Sequence, residues 1–200
     1  MVSSTIRTSP AIPMRLFHFS DNPSITEFVP RAVNTPVDRP AGQERLNGPL
    51  VWAVSDSNDF LYMFPRECPR ILIWPTPKTT SHDMNEWFEG TSASRRAFIE
   101  KRWLERLQAE VIYKYELPTE TFEDVGDVGM WVSRSKITPL QVQTIADLPA
   151  RIRNRNIDLT VLDDLTGLRG VWETTLHASG IRLRNAKNWG PPGWPHSPPL

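Results

Sequence analysis

The sequence has 200 residues, 39% of them hydrophobic and 23% charged, which is enough apolar material for one packed domain and excludes a disordered chain. Its 23 basic and 23 acidic side chains give a formal net charge of zero, which argues against an extended nucleic-acid-binding surface. The single cysteine excludes an intrachain disulfide, the first residues carry no secretory signal, and no apolar run approaches the roughly 18 residues of a membrane helix, so we expect a cytoplasmic protein without membrane contact.

The first half of the chain predicts three short strands separated by proline-rich loops. Alternating aromatic residues or fully apolar runs mark the strands, and prolines with small polar residues mark the loops. The predicted elements are, in order, a flexible leader (1–13), a strand (15–20), a long loop (30–48), a strand (50–54), a helical turn capped by Ser55 or Asp56, a strand (70–74) and a second loop (75–91).

The second half of the chain mixes helices and strands without a strict alternation. Its predicted elements are a helix from 92 or 94 to 108, a strand (109–117), an acidic loop (118–129), strands at 130–133 and 140–145, a helix capped by Asp147, a helix (160–177), a strand (181–184) and a disordered proline-rich tail (188–200). The intervals between strands are often too short for crossover helices. We therefore expect a single α+β domain over residues 14–187, with a mainly antiparallel sheet flanked by helices.

Several common catalytic motifs are absent from the sequence. It has no Walker-type phosphate loop, no GxGxxG fingerprint, no GxSxG elbow, no HExxH and no CxxC. The four histidines are His18, His82, His177 and His196, and no two of them have the spacing of helical metal ligands. We therefore expect no metal site.

His18 is the strongest candidate for a ligand-binding side chain. In an alternating strand it lies on the same face as Ser20, and an imidazole can donate a hydrogen bond to a ribose hydroxyl or a carboxamide oxygen. The alternative is a core histidine tied to a backbone carbonyl.

Other candidates come from arginine, cysteine and tryptophan side chains. Arg66 and Arg70 could grip a phosphate, or lie in a surface loop without a function. Cys68 needs a neighbouring base to act as a nucleophile and is better explained as a buried thiol. Strand tryptophans could stack on a base or fill a core, and Arg182 with Arg184 could contact phosphate or solvate an edge strand. The two strand tryptophans are Trp52 and Trp131.

The order of four segments resembles the histidine–tyrosine–glutamate branch of the ADP-ribosyltransferase-like superfamily. These segments read LFHFSDNPSITEFVPR, LVWAVSDSNDFLYMF, VIYKYELPTETFED and MWVSRSKITPLQV. They are similar to that branch's "YHGS", "I..F.PR", "VYAT", "VYEYEVP" and "E-[YF]-[VL]-S" elements, over roughly residues 14–145. The chain also resembles an uncharacterised bacterial family, which alone fits residues 146–187.

The resemblance to the superfamily implies a split, mainly antiparallel sheet and a site for NAD as a substrate. His18 matches the histidine that holds the ribose and carboxamide of NAD, with Ser20 beside it. Trp52 and Tyr62 match aromatics that stack on the nicotinamide, and Arg31 or Arg66 would meet the phosphates.

The third motif of the superfamily departs from its pattern in this chain. Trp131 takes the catalytic position in GMWVS, which has no carboxylate where the superfamily has a glutamate. That glutamate normally supports an oxocarbenium-like transition state. Glu110, Glu116 or Glu123 would have to replace it.

Three functions remain open on the sequence alone. The first is an enzyme that binds an NAD- or ADP-ribose-type nucleotide, such as an atypical ADP-ribosyltransferase with an unknown acceptor. The second is a non-catalytic binding module on the same scaffold. The third is an enzyme of another kind that uses Cys68 or a histidine metal site.

Overall fold

The computed structural model describes residues 14–33, 39 and 41–190. The predicted leader (1–13) and residues 191–200 of the predicted tail lie outside this part of the chain. The described residues form two β-sheets with helices around them, and nine of the ten strand pairings that form these sheets and the bridges beside them are antiparallel. This confirms the predicted α+β class with mainly antiparallel sheets.

Within the described residues the strands are β1 (Leu16–Ser20), β2 (Val51–Ser55), β3 (Arg70–Trp74), β4 (Arg95–Glu100), β5 (Ile112–Leu117), β6 (Glu123–Asp124), β7 (Met130–Ser133), β8 (Gln141–Ile145), β9 (Ile157–Leu162) and β10 (His177–Ile181). The α-helices are α1 (Ser81–Phe88), α2 (Leu104–Ala109) and α3 (Leu148–Asn154), and 3₁₀ helices cover Glu44–Asn47, Asp56–Tyr62, Lys101–Trp103, Thr166–Glu173 and Leu183–Asn185.

The first sheet has the strand order β6-β7-β2-β1-β5-β8, and the second has the order β10-β3-β4-β9. Only β4 and β9, among the described strands, pair in parallel. An apolar cluster joins the sheets, because it contains Ile112 and Ile145 of the first and Leu72, Ile99 and Ile157 of the second. No helix in the described ranges combines the length and apolarity needed to cross a bilayer.

Many predicted elements of the first sheet are confirmed. The strands predicted at 15–20, 50–54, 109–117, 130–133 and 140–145 correspond to β1, β2, β5, β7 and β8. The predicted cap of α3 is also confirmed, because the Asp147 carboxylate accepts a hydrogen bond from the Ala150 N–H at 3.2 Å.

The elements around the second sheet depart from the predictions, apart from β3. The predicted loop at 75–91 contains α1, which begins after Thr80, whose hydroxyl caps the Asp83 N–H. The predicted helix from 92 or 94 to 108 is wrong in its first half, which is β4. The predicted helix at 160–177 overlaps β9, a 3₁₀ helix and the first residue of β10. Strands β3 and β4 lie inside the sheet and are buried over most of their length, so their sequences do not alternate.

The first residues of the predicted tail pack against the second sheet. Residues 188–190, which the sequence assigned to the tail, are described, and the Trp189 side chain is 5% exposed. Its ring lies 5.9 Å from that of Trp172 in an edge arrangement. Trp189 is therefore part of the apolar cluster on the second sheet.

Candidate functional site

Strands β1 and β2 separate partway along their length and leave an opening in the first sheet. They pair at Leu16–Ser55 and Phe17–Val54, whereas β1 continues to pair with β5 as far as Ser20. We call the opening beyond Phe17 the β1–β2 wedge. Strand β2 stays paired with β7 from Val51, so both walls of the wedge are held by their outer neighbours.

Because β1 and β2 separate, backbone N–H and C=O groups that would pair between the two strands in a continuous sheet are available for other hydrogen bonds. The Asp56 N–H donates to the Arg15 carbonyl at 3.1 Å, and hydrogen-bonded pairs recur every second residue of an antiparallel ladder. In a continuous ladder, the pairs of Arg15 with Asp56 and of Phe17 with Val54 would be followed by a hydrogen-bonded pair of Phe19 with Trp52. Instead, the Trp52 carbonyl accepts from the His18 ring and the Phe19 carbonyl accepts from Arg66.

His18 lies in the wedge as a neutral imidazole with a defined tautomer. Its Nδ1 is 2.8 Å from the Trp52 carbonyl oxygen, so Nδ1 carries the proton and Nε2 keeps a lone pair. Burial lowers the pKa of His18, and the charge of Arg66 lowers it further, against the opposing effect of the Trp52 carbonyl. Its ring packs on Phe28 at 4.7 Å. The Nε2 atom has no hydrogen-bond partner among the described residues and can accept one from a ligand hydroxyl.

Arg66 stands at the mouth of the wedge. Its Nη1 donates to the Phe19 carbonyl at 3.5 Å, which is a long and weak hydrogen bond, and its side chain is exposed. The structure thus brings together His18, Arg66 and the carbonyl of Trp52, three residues that the sequence proposed for one site.

The rings of Tyr62 and Trp52 are engaged in packing. Tyr62 stacks on Phe19 at 6.0 Å, its hydroxyl donates to the Met130 sulfur at 3.5 Å, and burial raises its pKa. The Trp52 ring packs against a small cluster that includes Leu46 and Val132. Trp52 therefore reaches the wedge through its carbonyl, a contribution that depends on strand pairing and that the sequence does not reveal.

Ser20 and Arg31 flank the wedge. Ser20 is buried, and its hydroxyl accepts from the Asn22 N–H at 3.1 Å, which holds the turn after β1. The backbone of Arg31 exchanges two hydrogen bonds with Leu50, at 3.0 and 3.2 Å, so Arg31 lies at the start of β2 with an exposed side chain.

Trp131 lies on the opposite side of β2 from β1. It is paired with Ala53 and packs against the apolar cluster that contains Leu16 and Phe28. It also lines a surface concavity with Ser55 and Asp124. This concavity lies at the end of β2 that is still paired with β1.

The three glutamates proposed to replace the missing carboxylate each pair with an arginine. Glu116 contacts Arg15 at 2.5 Å, which together with Gln141 holds its pKa at about 2. Glu110 pairs with Arg106 and Glu123 with Arg134, both at 2.6 Å.

A carboxylate that the sequence analysis missed lies near Tyr62. Burial raises the pKa of Tyr62 and the charge of Asp127 adds to the rise, whereas burial lowers the pKa of His177 against the opposing charge of Asp127. His177 stacks on Trp74 at 4.2 Å. Asp127 precedes Val128, whose φ of 35° is rare for a β-branched residue. The flanking Gly126 and Gly129 were the signal in the sequence that this turn is conformationally unusual.

The alternative sites of the third hypothesis receive little support. Burial raises the pKa of Cys68 to about 12, and no histidine or carboxylate in the described residues bonds its sulfur. On α1, the ligand atoms of His82, Asp83 and Glu86 lie within 4.8 Å of one another. The Asp83 carboxylate, however, already accepts hydrogen bonds from the Thr175 backbone and hydroxyl.

Comparison with known proteins gives one match. The model of a family described as "Family of unknown function (DUF6886)" matches residues 17–186, which include the wedge and both sheets except for Leu16, the first residue of β1. A search of curated proteins and a search of solved structures each gave no match.

Proposed function

The chain belongs to the Family of unknown function (DUF6886), and we propose that it binds a nucleotide of the NAD or ADP-ribose class in the β1–β2 wedge. The observation that carries the proposal is the wedge itself, with His18 hydrogen-bonded across it to the Trp52 carbonyl. The resemblance of β1, β2, β5 and β7 to the motifs of ADP-ribosyltransferase-like proteins supports the same ligand class.

The wedge offers hydrogen-bonding groups that match a ribose and a carboxamide. The free lone pair on Nε2 of His18 can accept from a ribose hydroxyl. Phe19 does not pair with β2, so its backbone N–H and C=O face the wedge. They can hydrogen-bond to a planar amide in the way that they would to a neighbouring strand. The weak hydrogen bond from Arg66 to the Phe19 carbonyl leaves that acceptor open to competition by a ligand.

A transfer reaction on such a nucleotide would break the bond between ribose C1′ and the nicotinamide nitrogen and form a bond from C1′ to an acceptor. Positive charge develops on the ribose in that transition state, and a nearby carboxylate stabilises it. Position 131 supplies a tryptophan. We therefore assign this role to Asp127, whose backbone carbonyl accepts a hydrogen bond from Met130, the residue whose sulfur accepts from the Tyr62 hydroxyl.

A non-catalytic binding module is the second candidate function. It is favoured by the packing of Trp131 into an apolar cluster at the catalytic position and by the covered rings of Trp52 and Tyr62. Such a module would bind the nucleotide and leave its glycosidic bond intact.

Thermal unfolding with millimolar NAD and ADP-ribose tests the proposed site. We expect NAD or ADP-ribose to raise the melting temperature by about 5 to 11 °C, since a ligand at about 100 times its Kd adds about 2.7 kcal/mol to stability. The His18→Asn variant should lose this rise, because an asparagine amide can still donate to the Trp52 carbonyl but lacks Nε2. His82→Ala, which removes a histidine with an 84% exposed side chain, is the control and should keep the rise.

Two results would contradict the proposal. One is an unchanged melting temperature with both ligands. The other is a rise that His18→Asn retains in full, which would put the ligand outside the wedge. Chromatographic detection of released nicotinamide then separates the candidates, because an enzyme releases it with time, Asp127→Asn slows that release, and a binding module releases none.

A further inference from the structure

We propose that Arg66, Arg182 and Arg184 form a binding site for the diphosphate group of a small molecule, next to the β1–β2 wedge. The site is inferred from the arrangement of the arginines. It rests on the proposed function only for the claim that the diphosphate belongs to a nucleotide. We call these three residues, together with the buried Arg70, the arginine cluster.

The C-terminal segment of the domain brings the arginines together. The Arg182 Nε donates to the Arg66 carbonyl at 3.3 Å, so the residue after β10 docks on the loop before β3. Arg182 and Arg184 both contact the Glu67 carboxylate, at 3.5 and 3.0 Å, and the Asn185 amide donates to the Glu67 backbone carbonyl at 2.8 Å. Residues more than 110 positions apart in sequence therefore form one surface.

Arg70 adds a fixed positive charge behind this surface. It is 2% exposed, its guanidinium donates to the carbonyls of Leu61 and Cys68, and it lies 5.6 Å from the centre of the Tyr62 ring. No carboxylate of the described residues forms an ion pair with it. Burial lowers the pKa of Arg70 to about 10, and the charge of Arg182 contributes to this lowering.

Positive charge is in excess across the cluster. Among the described residues, Arg182 and Arg184 form ion pairs with Glu67 and the other two guanidinium groups form none, in a chain whose net charge is zero. Burial lowers the pKa of Arg182, and the charges of Arg184 and Arg66 lower it further against the opposing charge of Glu67, so the guanidinium groups repel one another. An anion with several negative charges would relieve this repulsion.

The backbone at Arg182 is strained in a way that serves the cluster. Its φ of 57° is left-handed, a conformation that is unfavourable for an arginine. This conformation turns the chain from β10 into the 3₁₀ helix Leu183–Asn185, which carries Arg184 and Asn185 to Glu67.

The shape of the guanidinium groups and their position next to the wedge indicate a diphosphate as the ligand. Paired guanidinium N–H groups match the oxygens of a phosphate, and a diphosphate engages two arginines at once. Arg66 links the cluster to the wedge through its contact with the Phe19 carbonyl, beside His18. A ligand with a ribose at His18 would therefore place its diphosphate over Arg66 and Arg182.

Calorimetric titration of the full chain with sodium pyrophosphate, ADP-ribose and adenosine tests the site. We expect Arg182→Asn and Arg66→Ala each to weaken pyrophosphate and ADP-ribose by about tenfold. Asparagine is chosen because it tolerates the left-handed backbone of position 182. Glu67→Gln removes the competing carboxylate, so we expect it to strengthen pyrophosphate binding. Arg134→Ala, an exposed arginine paired with one glutamate, is the control and should change neither affinity.

The outcomes separate this inference from the proposed nucleotide function. Pyrophosphate binding that is lost in Arg182→Asn supports the cluster. If adenosine and ADP-ribose show no specific binding in the same experiment, only the proposed nucleotide function is contradicted. Full ADP-ribose affinity in both arginine variants would overturn the cluster and leave the function standing. No pyrophosphate binding to the wild-type chain, or equal loss in Arg134→Ala, would also overturn it.

Discussion

Cys68 illustrates how burial decides the chemistry of one residue. Its side chain is fully buried, and the sulfur lies 3.6 Å from the Pro69 carbonyl oxygen. Taking a thiolate out of water is unfavourable, so burial raises the pKa of the thiol to about 12 even though the Arg70 charge acts in the opposite direction. At neutral pH the folded protein therefore presents an unreactive thiol.

We expect Cys68 to resist alkylation in the folded protein at pH 8. Iodoacetamide followed by mass spectrometry should find the thiol unmodified under native conditions and fully modified in denaturing guanidinium chloride. The reason is that both the thiolate fraction and the access of the reagent depend on unfolding. Rapid modification of the native protein would contradict the burial argument and revive the nucleophile hypothesis. Cys68→Ser serves as the control for modification at other side chains.

The sequence predicted that His18 and Arg66 lie in one site, but it did not predict the contacts that they make there. His18 and Arg66 were both predicted for the site, because residue type and position in or near a strand are visible in the sequence. The acceptor for His18 is the Trp52 carbonyl, which becomes free only because the pairing of β1 with β2 stops after Phe17. Strand separation arises from long-range packing and has no local sequence pattern.

The turn between β6 and β7 is the element with the clearest backbone strain. Gly126, Val128 and Gly129 have φ values of 75°, 35° and 67°. The Gly129 carbonyl accepts from the Ser55 N–H at 2.8 Å, and Val128 packs against the cluster between the sheets. Both contacts anchor the C-terminal end of the turn, where β7 begins.

Alanine at the two glycines separates backbone strain from steric overlap. A Cβ at Gly126 would meet no atom within 4 Å, whereas one at Gly129 would overlap the Ser55 hydroxyl and lie 2.7 Å from Asn58 Oδ1. We expect Gly126→Ala to lower the free energy of unfolding by about 1 kcal/mol, from its positive φ alone. Gly129→Ala should lower it by about 3 kcal/mol. Urea unfolding monitored by tryptophan fluorescence measures both, and equal losses would show that the turn relaxes around the added methyl group.

The second sheet shows why element type was harder to predict there. Four consecutive residues at the end of β4, from Ala97 to Glu100, are buried, so the strand lacks the alternation that identified β5. Helix α1 has the opposite difficulty, because it is polar and its start depends on the Thr80 cap rather than on an apolar stripe. Parallel pairing of β4 with β9 joins segments about 60 residues apart, which local periodicity cannot report.

At the scale of the whole molecule, a buried ionic network ties the two sheets together. Asp59 is fully buried, and its Oδ2 contacts Lys114 of β5 at 2.5 Å and Arg155 at 2.7 Å. Arg155 lies between α3 and β9, so the contact links the first sheet to the entry of the second. Burial of this carboxylate against two cations favours unfolding of the sheets as one unit, since opening either would leave unpaired charge in the interior.

The extent of the domain at its C-terminus gives a second prediction at this scale. Trp189 packs on the outer face of the second sheet, where the Arg169 guanidinium lies 5.2 Å from its ring. A chain that ends at residue 187 loses this side chain, whereas a chain that ends at residue 190 keeps it. We expect the shorter chain to lose about 3 kcal/mol of stability, the usual cost of removing a buried large aromatic side chain.

Differential scanning calorimetry of the two truncated chains and the full chain measures this effect. A loss of that size should lower the melting temperature by about 6 to 12 °C in the chain ending at 187. The chain ending at 190 should match the full chain, and Trp189→Ala in the full chain should reproduce most of the loss, because the ring rather than the backbone makes the contacts. Equal melting temperatures for the chains ending at 187 and 190 would restore the boundary predicted from the prolines, and would mean that Trp189 contributes nothing to the apolar cluster.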